Sequence, residues 1–162
     1  MRIVKWLLST VAALILLGVA AGQLGLLRGQ APGDLGVKDG KLKAPSTSPN
    51  SVSSQADLWP GHPQRASARI APLAVAGDPA AAMARLQAAV AATPGAVVIK
   101  ADVDYLYAQY TTPLMHYTDD VEFWFDRAAG VVQLRSASRL GEGDLGANRQ
   151  RIEALRARLG PT

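Results

Sequence analysis

The stretch Arg135-Ser-Ala-Ser-Arg-Leu-Gly-Glu-Gly-Asp-Leu-Gly-Ala-Asn-Arg-Gln-Arg-Ile-Glu-Ala-Leu-Arg-Ala-Arg-Leu159 decides how the C-terminal part of the chain folds. It predicts the end of a strand, a glycine-rich corner and a final helix with Asp144 as its N-cap. An apolar stripe follows at spacings of three and four residues. The residues of this stripe are Leu145, Asn148, Ile152, Leu155 and Leu159. Asn148 therefore falls among apolar positions, where its amide needs hydrogen-bond partners.

The strand before the corner is predicted to form a hairpin with residues 121–126. Arg127-Ala-Ala-Gly130 is the loop, because its last glycine tolerates the left-handed conformation that such loops often contain. If the residues on either side of this loop face each other, apolar residues lie opposite apolar residues along both strands. The same register places Glu122 opposite Arg135, and we expect them to form an ion pair on a solvated face.

Two serines in this strand need partners. Ser136 and Ser138 fall on its apolar face, and a hydroxyl buried without a partner costs about 1–3 kcal/mol. We infer that both serines meet Asn148 where the strand turns into the helix. The charged residues expected close by are Asp144 and either Arg139 or Arg151.

The preceding elements complete the predicted fold. Ala68 to Leu73 is expected to be a short strand, and Asp78-Pro79 begins a helix that ends before Pro94-Gly95. Ala96 to Thr111 alternates as one strand, with residues 97, 99, 101, 103, 105 and 107 on its apolar face. The order strand-helix-strand-strand-strand-helix predicts an α+β fold: one antiparallel sheet with two helices packed on one face. One N-terminal transmembrane helix is predicted to precede it.

The N-terminal segment is apolar enough to cross a membrane. Trp6 to Leu27 carries no charge over 22 residues, a helix about 33 Å long. Arg2 and Lys5 precede it, which places the N-terminus in the cytoplasm and the rest of the chain outside. The alternative is a cleaved signal peptide, with Val19-Ala-Ala21 as the small-residue cleavage site. Both interpretations export the domain, as a membrane-anchored or a secreted protein.

Composition divides the chain and excludes several kinds of chemistry. Residues 1–28 are the anchor or signal segment, 29–58 a linker with a partly ordered Pro-Asn-Ser turn, and 59–162 a single α+β domain. The chain has no cysteine, which excludes disulfides, thiolate metal sites and thiol nucleophiles. Its net charge of +4 is spread along the chain, so a nucleic-acid partner is not expected.

The polar residues allow three functional interpretations. An enzyme of the hydrolase type would use Ser136 or Ser138 with His116 and a nearby aspartate, Asp119 or Asp120, but no Gly-x-Ser-x-Gly motif is present. A polar cluster can instead bind an anionic small ligand, or it can fasten the last helix to the sheet. The third interpretation is a tethered domain that contacts an envelope protein. No cofactor and no metal site are predicted. The candidate ligand-binding or structural residues are Asn50, Ser53, Ser54, Asp120, Glu122, Arg135, Ser136, Ser138, Arg139, Asp144, Asn148 and Arg151.

Several motifs are similar to those of one known family. They are Leu35-Gly-Val-Lys-Asp-Gly, Ser48-Pro-Asn-Ser-Val-Ser-Ser, Asp119-Asp-Val-Glu-Phe, Arg135-Ser-Ala-Ser-Arg-Leu-Gly and Asp144-Leu-Gly-Ala-Asn-Arg-Gln-Arg-Ile-Glu. Together they resemble the domain of unknown function 1499 family, from Leu35 to the C-terminus. The resemblance implies no assigned activity, so no catalytic residue is carried over from it.

Overall fold

The computed structural model describes residues 1–75 and 77–160. The helices are α1 (Arg2–Gln23), α2 (Arg65–Ala68), α3 (Pro79–Ala91) and α4 (Ala147–Leu159), with a 3₁₀ turn at Ala56–Leu58. The strands are β1 (Ser51–Ser53), β2 (Leu73–Ala74), β3 (Ala96–Ala101), β4 (Tyr105–Thr111), β5 (Thr118–Asp126) and β6 (Val131–Ser138).

The strands form one antiparallel sheet in the order β1-β6-β5-β4-β3, and the short β2 also pairs with β6. The predicted register of the β5–β6 hairpin is confirmed. Asp126 lies opposite Val131 and Glu122 lies opposite Arg135. A four-residue loop and the apolar alternation thus specify the same pairing.

The main core lies between one face of this sheet and the helices α3 and α4. Phe123 and Leu134 of the central strands are completely buried, as is Ile152 of α4, and Leu86 of α3 packs into the same cluster. Asp78 accepts a hydrogen bond from the N–H of Ala81 at 2.8 Å, which confirms the predicted start of α3. The α+β class, with helices on an antiparallel sheet, is confirmed.

The region predicted as one strand, 96–111, is a hairpin of β3 and β4. Asp102 N–H donates to the carbonyl of Tyr105, which closes a tight turn where aspartates are favoured. A bulge between Val98 and Lys100 also shifts the pairing. The predicted facing is wrong in both strands. The core contains Leu106, Ala108 and Tyr110, with Ala96 and Val98 packed against it, whereas residues 97, 99 and 103 are exposed and residues 105 and 107 lie on the opposite face.

The predicted strand from Ala68 to Leu73 is also corrected. Ala68 ends the short helix α2, and pairing with β6 begins only at Leu73. Pro72 has no N–H to give to a ladder, so a strand can start after it but not run through it.

The range 29–58, predicted as a linker, contributes to the folded body. It contains β1, which pairs with β6 through Ser51, Val52 and Ser53, and Leu42 within it is 1% exposed. The low hydrophobic content of residues 29–58 gave no sign of this strand. Its backbone groups pair with β6, but only one of its side chains, that of Val52, enters the apolar core. The segment from Gly36 to Ala44 covers the second face of the sheet.

Helix α1 is the one helix in the described ranges that is long and apolar enough to cross a membrane. An N-terminal signal sequence can also be this long and apolar, so this helix is compatible with either an anchor or a signal. None of its most apolar window is buried against the protein.

Candidate functional site

The junction between β6 and α4 brings polar side chains together inside the protein. Ser136 Oγ donates to Asn148 Oδ1 at 2.5 Å, and Asn148 Nδ2 donates to Ser138 Oγ at 3.0 Å. The predicted meeting of the two serines with Asn148 is therefore present in the structure. We call the group of Ser136, Ser138, Asn148, Asp144, Arg151 and Asp119 the corner cluster.

Asn148 uses its whole amide within this cluster. Its Nδ2 lies 3.0 Å from the backbone oxygen of Asn50 and 2.8 Å from Asp144 Oδ2, besides the contact to Ser138. Its Oδ1 accepts from Ser136 and from Arg151 Nη1, the latter at 2.6 Å. An amide offers two donor hydrogens and two acceptor lone pairs. The completely buried Asn148 side chain therefore has no unused hydrogen-bonding capacity.

Asp144 organises the start of α4 without occupying the N-cap position. Gly146 is the N-cap, at φ 82°, and the carboxylate of Asp144 accepts from the N–H groups of Gly146 and Asn148, each at 2.9 Å. Burial raises the pKa of Asp144, but these donors outweigh it and hold the pKa below its ordinary value. Because the helix begins at Ala147, Leu145 is not on its apolar stripe as predicted; it is 100% exposed.

Asp119 completes the corner cluster from β5. Arg151 Nη2 donates to Asp119 Oδ2 at 2.5 Å, and the Arg151 guanidinium lies 4.6 Å from the centre of the Tyr110 ring. Sequence reasoning left Asp119 out of the candidate cluster. The signal was available, because the β5–β6 register places Asp119 directly opposite Ser138.

Arg139 lies on the other face of the sheet, so Arg151 is the one of the two alternatives that reaches the corner. Arg139 Nε and Nη2 donate to the two carboxylate oxygens of Asp120, at 2.8 and 2.7 Å. Tyr107 donates its hydroxyl hydrogen to Asp120 Oδ1 at 2.5 Å. The hydrogen bond to Asp120 raises the pKa of Arg139. This bidentate pairing needs the planar guanidinium of arginine, which a lysine cannot replace.

Glu122 and Arg135 are paired as predicted, but the expected solvated face is wrong. Their exposed fractions are 0% and 3%, because the chain around Gly36 and Ala44 covers them. Glu122 Oε1 accepts from Gly36 N–H and from the Tyr105 hydroxyl, both at 2.7 Å. Arg135 Nη1 and Glu122 Oε2 lie 3.9 Å apart, and neither atom has a hydrogen-bond partner among the described residues. Burial raises the pKa of Glu122 and lowers that of Arg135.

Three further candidates are separate from the corner cluster or touch it only by their backbone. Asn50 contributes its carbonyl, while its side-chain Nδ2 donates to Gly141 O at 2.6 Å. Ser53 Oγ accepts from the N–H of Gln55 and thereby shapes the turn after β1. Ser54 Oγ accepts from Leu134 N–H at 2.8 Å, which fixes that turn against β6.

The hydrolase arrangement does not form among the described residues. The Ser136 hydroxyl is completely buried and donates to Asn148, and neither Ser136 nor Ser138 has a hydrogen bond to His116 among the described residues. Nδ1 of His116 is buried without a hydrogen-bond partner in residues 1–75 and 77–160. Within the same ranges no group of three or more potential ligands is placed to hold a metal ion.

The fold and the site define an α+β domain with an internally paired polar core, preceded by an apolar helix. The chain belongs to the family described as "Protein of unknown function (DUF1499)", whose model matches residues 41–159. This confirms the resemblance found in the sequence motifs, and the matched range includes every candidate residue named above. The comparisons with curated proteins and with solved structures gave no match.

Proposed function

We propose that this chain is a membrane-anchored, non-catalytic module of the cell envelope, with its folded domain on the outer side of the membrane. Helix α1 is the anchor, and Arg2 and Lys5 at its start favour a cytoplasmic N-terminus. The domain acts by presenting a rigid surface to another envelope component and does not turn over a substrate.

The fully used amide of Asn148 carries this proposal. A ligand site needs groups that are free to exchange partners, whereas each hydrogen-bonding group of Asn148 is already engaged inside the protein. The corner cluster therefore acts as a structural clamp that fastens α4 to the sheet. Buried polar networks of this kind, when satisfied, favour one arrangement of the elements they join.

The acid–arginine pairs support the same conclusion. The three arginines expected to attract an anion each face a carboxylate from β5, in the pairs Asp119–Arg151, Asp120–Arg139 and Glu122–Arg135. An anionic small ligand would have to displace one of these carboxylates, leaving a buried negative charge without its cation. A partner is therefore expected on the exposed surface of the domain and not at the corner cluster.

Arginine-to-lysine substitution tests the structural role. Arg151→Lys keeps the charge but cannot hold Asp119, Ser136 and Asn148 together, so we expect its melting temperature to fall by roughly 3 °C or more. Arg127→Lys is the control, because Arg127 lies in an exposed loop. If Arg151→Lys keeps the wild-type melting temperature, and inorganic phosphate stabilises only the wild type, the cluster is an anion site and the proposal fails.

The topology can be tested with introduced cysteines, since the chain has none of its own. Val103 is 75% exposed, so Val103→Cys should react with a membrane-impermeant maleimide added to cells whose outer layers have been removed and whose cytoplasmic membrane is intact. Reaction only after lysis would overturn the outer location. N-terminal sequencing separates the anchor from its alternative: a mature chain that begins at Gly22 is cleaved and secreted.

A further inference from the structure

The loop that connects β4 to β5 packs along the end of α1. Gln23 Nε2 donates to the carbonyl of Leu114 at 2.8 Å. A Cβ atom on Gly22 would lie 2.6 Å from the backbone oxygen of Met115, so only glycine permits this approach. The side chain of Met115 reaches Gly18, with Cε at 3.9 Å from a Cβ position there. Gly18 precedes Gly22 by about one helical turn, so the loop runs beside the last turn of α1.

This packing determines the depth of the loop if α1 crosses a bilayer. The 22 residues of α1 are about 33 Å long, close to the thickness of the hydrocarbon core, so the last turn lies in the outer leaflet. The loop beside that turn lies at the same depth. Its Leu114 is 59% exposed in the protein, and at that depth the side chain faces lipid.

Two further exposed leucines lie at the same end of the domain. Leu140 is 41% exposed and Leu145 is 100% exposed, and both line a cavity of about 490 Å³ together with Leu27, which follows α1. Leu145 has a φ of 51°, a left-handed conformation that is unfavourable for leucine. The fold therefore holds a large apolar side chain outward beside the end of the apolar helix.

We propose that Leu114, Leu140 and Leu145 form a lipid-facing surface that lies in the outer leaflet of the bilayer crossed by α1. The occupant is lipid because the surface is continuous with α1 through Gln23 and Leu27, and its three members are uncharged and apolar. This inference rests on the proposed membrane anchoring. It implies that the domain is held against the membrane in one orientation and does not swing on a free tether.

The test uses the full chain in phosphatidylcholine vesicles with an environment-sensitive fluorophore on a single introduced cysteine. Leu145→Cys reports on the proposed surface, and its full exposure leaves the core undisturbed. Val103→Cys is the matched control, because it is an exposed apolar residue in the β3–β4 turn, at the opposite end of β4 from the loop. Leu14→Cys, in the middle of α1, reports on anchoring alone.

We expect a quencher attached to the lipid acyl chains to reduce fluorescence at 145 and at 14 severalfold more than at 103. If position 14 is quenched while 145 behaves like 103, the lipid-facing surface is wrong and the anchor stands. If neither 14 nor 145 is quenched, both proposals are overturned. Quenching at 145 without quenching at 14 would overturn the anchor, and with it a surface defined by the bilayer that α1 crosses.

Discussion

Ser136 on β6 and Asn148 on α4 share a 2.5 Å hydrogen bond in the interior, and both residues are completely buried. This bond joins the central sheet to the last helix, which also packs into the apolar core through Ile152 and Leu155. Polar pairs in a core are directional, whereas apolar contacts are not. The position of α4 is therefore determined by hydrogen bonds as well as by packing.

Removing the Asn148 amide is expected to destabilise the protein strongly. Asn148→Leu leaves Ser136, Ser138 and Arg151 without their shared partner, and we expect a loss of about 3 kcal/mol in unfolding free energy. Urea unfolding of the full chain in detergent measures this. Gln150→Ala on the exposed side of the same helix is the control and should change stability by less than about 0.5 kcal/mol. If Asn148→Leu has the same free energy of unfolding as the wild type, the corner cluster does not stabilise the protein.

The carboxylate of Asp144 should stabilise the start of α4 in a pH-dependent way. Asp144→Ala removes the acceptor for Gly146 and Asn148 N–H, and we expect a cost of about 1 kcal/mol near neutral pH. Because the folded pKa is lowered, this contribution is present above the ordinary pKa of 3.8 and is lost as pH falls through the folded value. Unfolding free energies of variant and wild type should therefore converge in acid. A difference in unfolding free energy between variant and wild type that stays constant with pH would contradict this.

Glu122 should show the opposite pH dependence. Burial raises its pKa above the ordinary 4.5, against the lowering effects of Gly36 N–H, Tyr105 and Arg135. Its contribution to stability is thus full below the ordinary pKa and declines as pH rises through the folded pKa. The Glu122→Gln variant has no titratable carboxyl at this position and does not lose this contribution. Its free energy of unfolding relative to that of the wild type should therefore increase from about pH 4 to about pH 8. A relative stability that decreases over this range would show that the folded pKa is lowered instead.

Glycine at position 22 should be required for contact between α1 and the domain. Gly22→Ala places a methyl group against the Met115 backbone, so the 112–117 loop must move away from the helix. We expect faster cleavage by chymotrypsin at Leu114 and Tyr117 in detergent-solubilised protein. Gly18→Ala is the matched control, because its methyl group makes only an ordinary contact with the end of the Met115 side chain. Equal cleavage rates in both variants would contradict the packing described here.

Local patterns predicted the parts of the fold that depend on neighbours in sequence. Loop length and alternation were enough for the β5–β6 register, and helical spacing was enough to place Asn148 on the buried side of α4. Together these placed Ser136 and Ser138 beside Asn148. That this group acts as a structural clamp stays a prediction.

The errors came from contacts between distant segments and from turn chemistry. No local pattern indicates that the chain near Gly36 covers Glu122, so a buried ion pair was assigned to a solvated face. The aspartates around Val103 end a strand that alternation alone would continue. Leu145 fits the helical spacing but precedes the first turn of α4, and the spacing does not show where a helix begins.

The most direct test of the structural clamp is a double-mutant cycle between Ser136→Ala and Asn148→Ala, measured by urea unfolding of the full chain. If the two side chains act as one interior unit, the second substitution should cost about 1 kcal/mol less in the background of the first than in the wild type. Losses that add to within about 0.5 kcal/mol would mean that the residues do not depend on each other, and the clamp would be refuted.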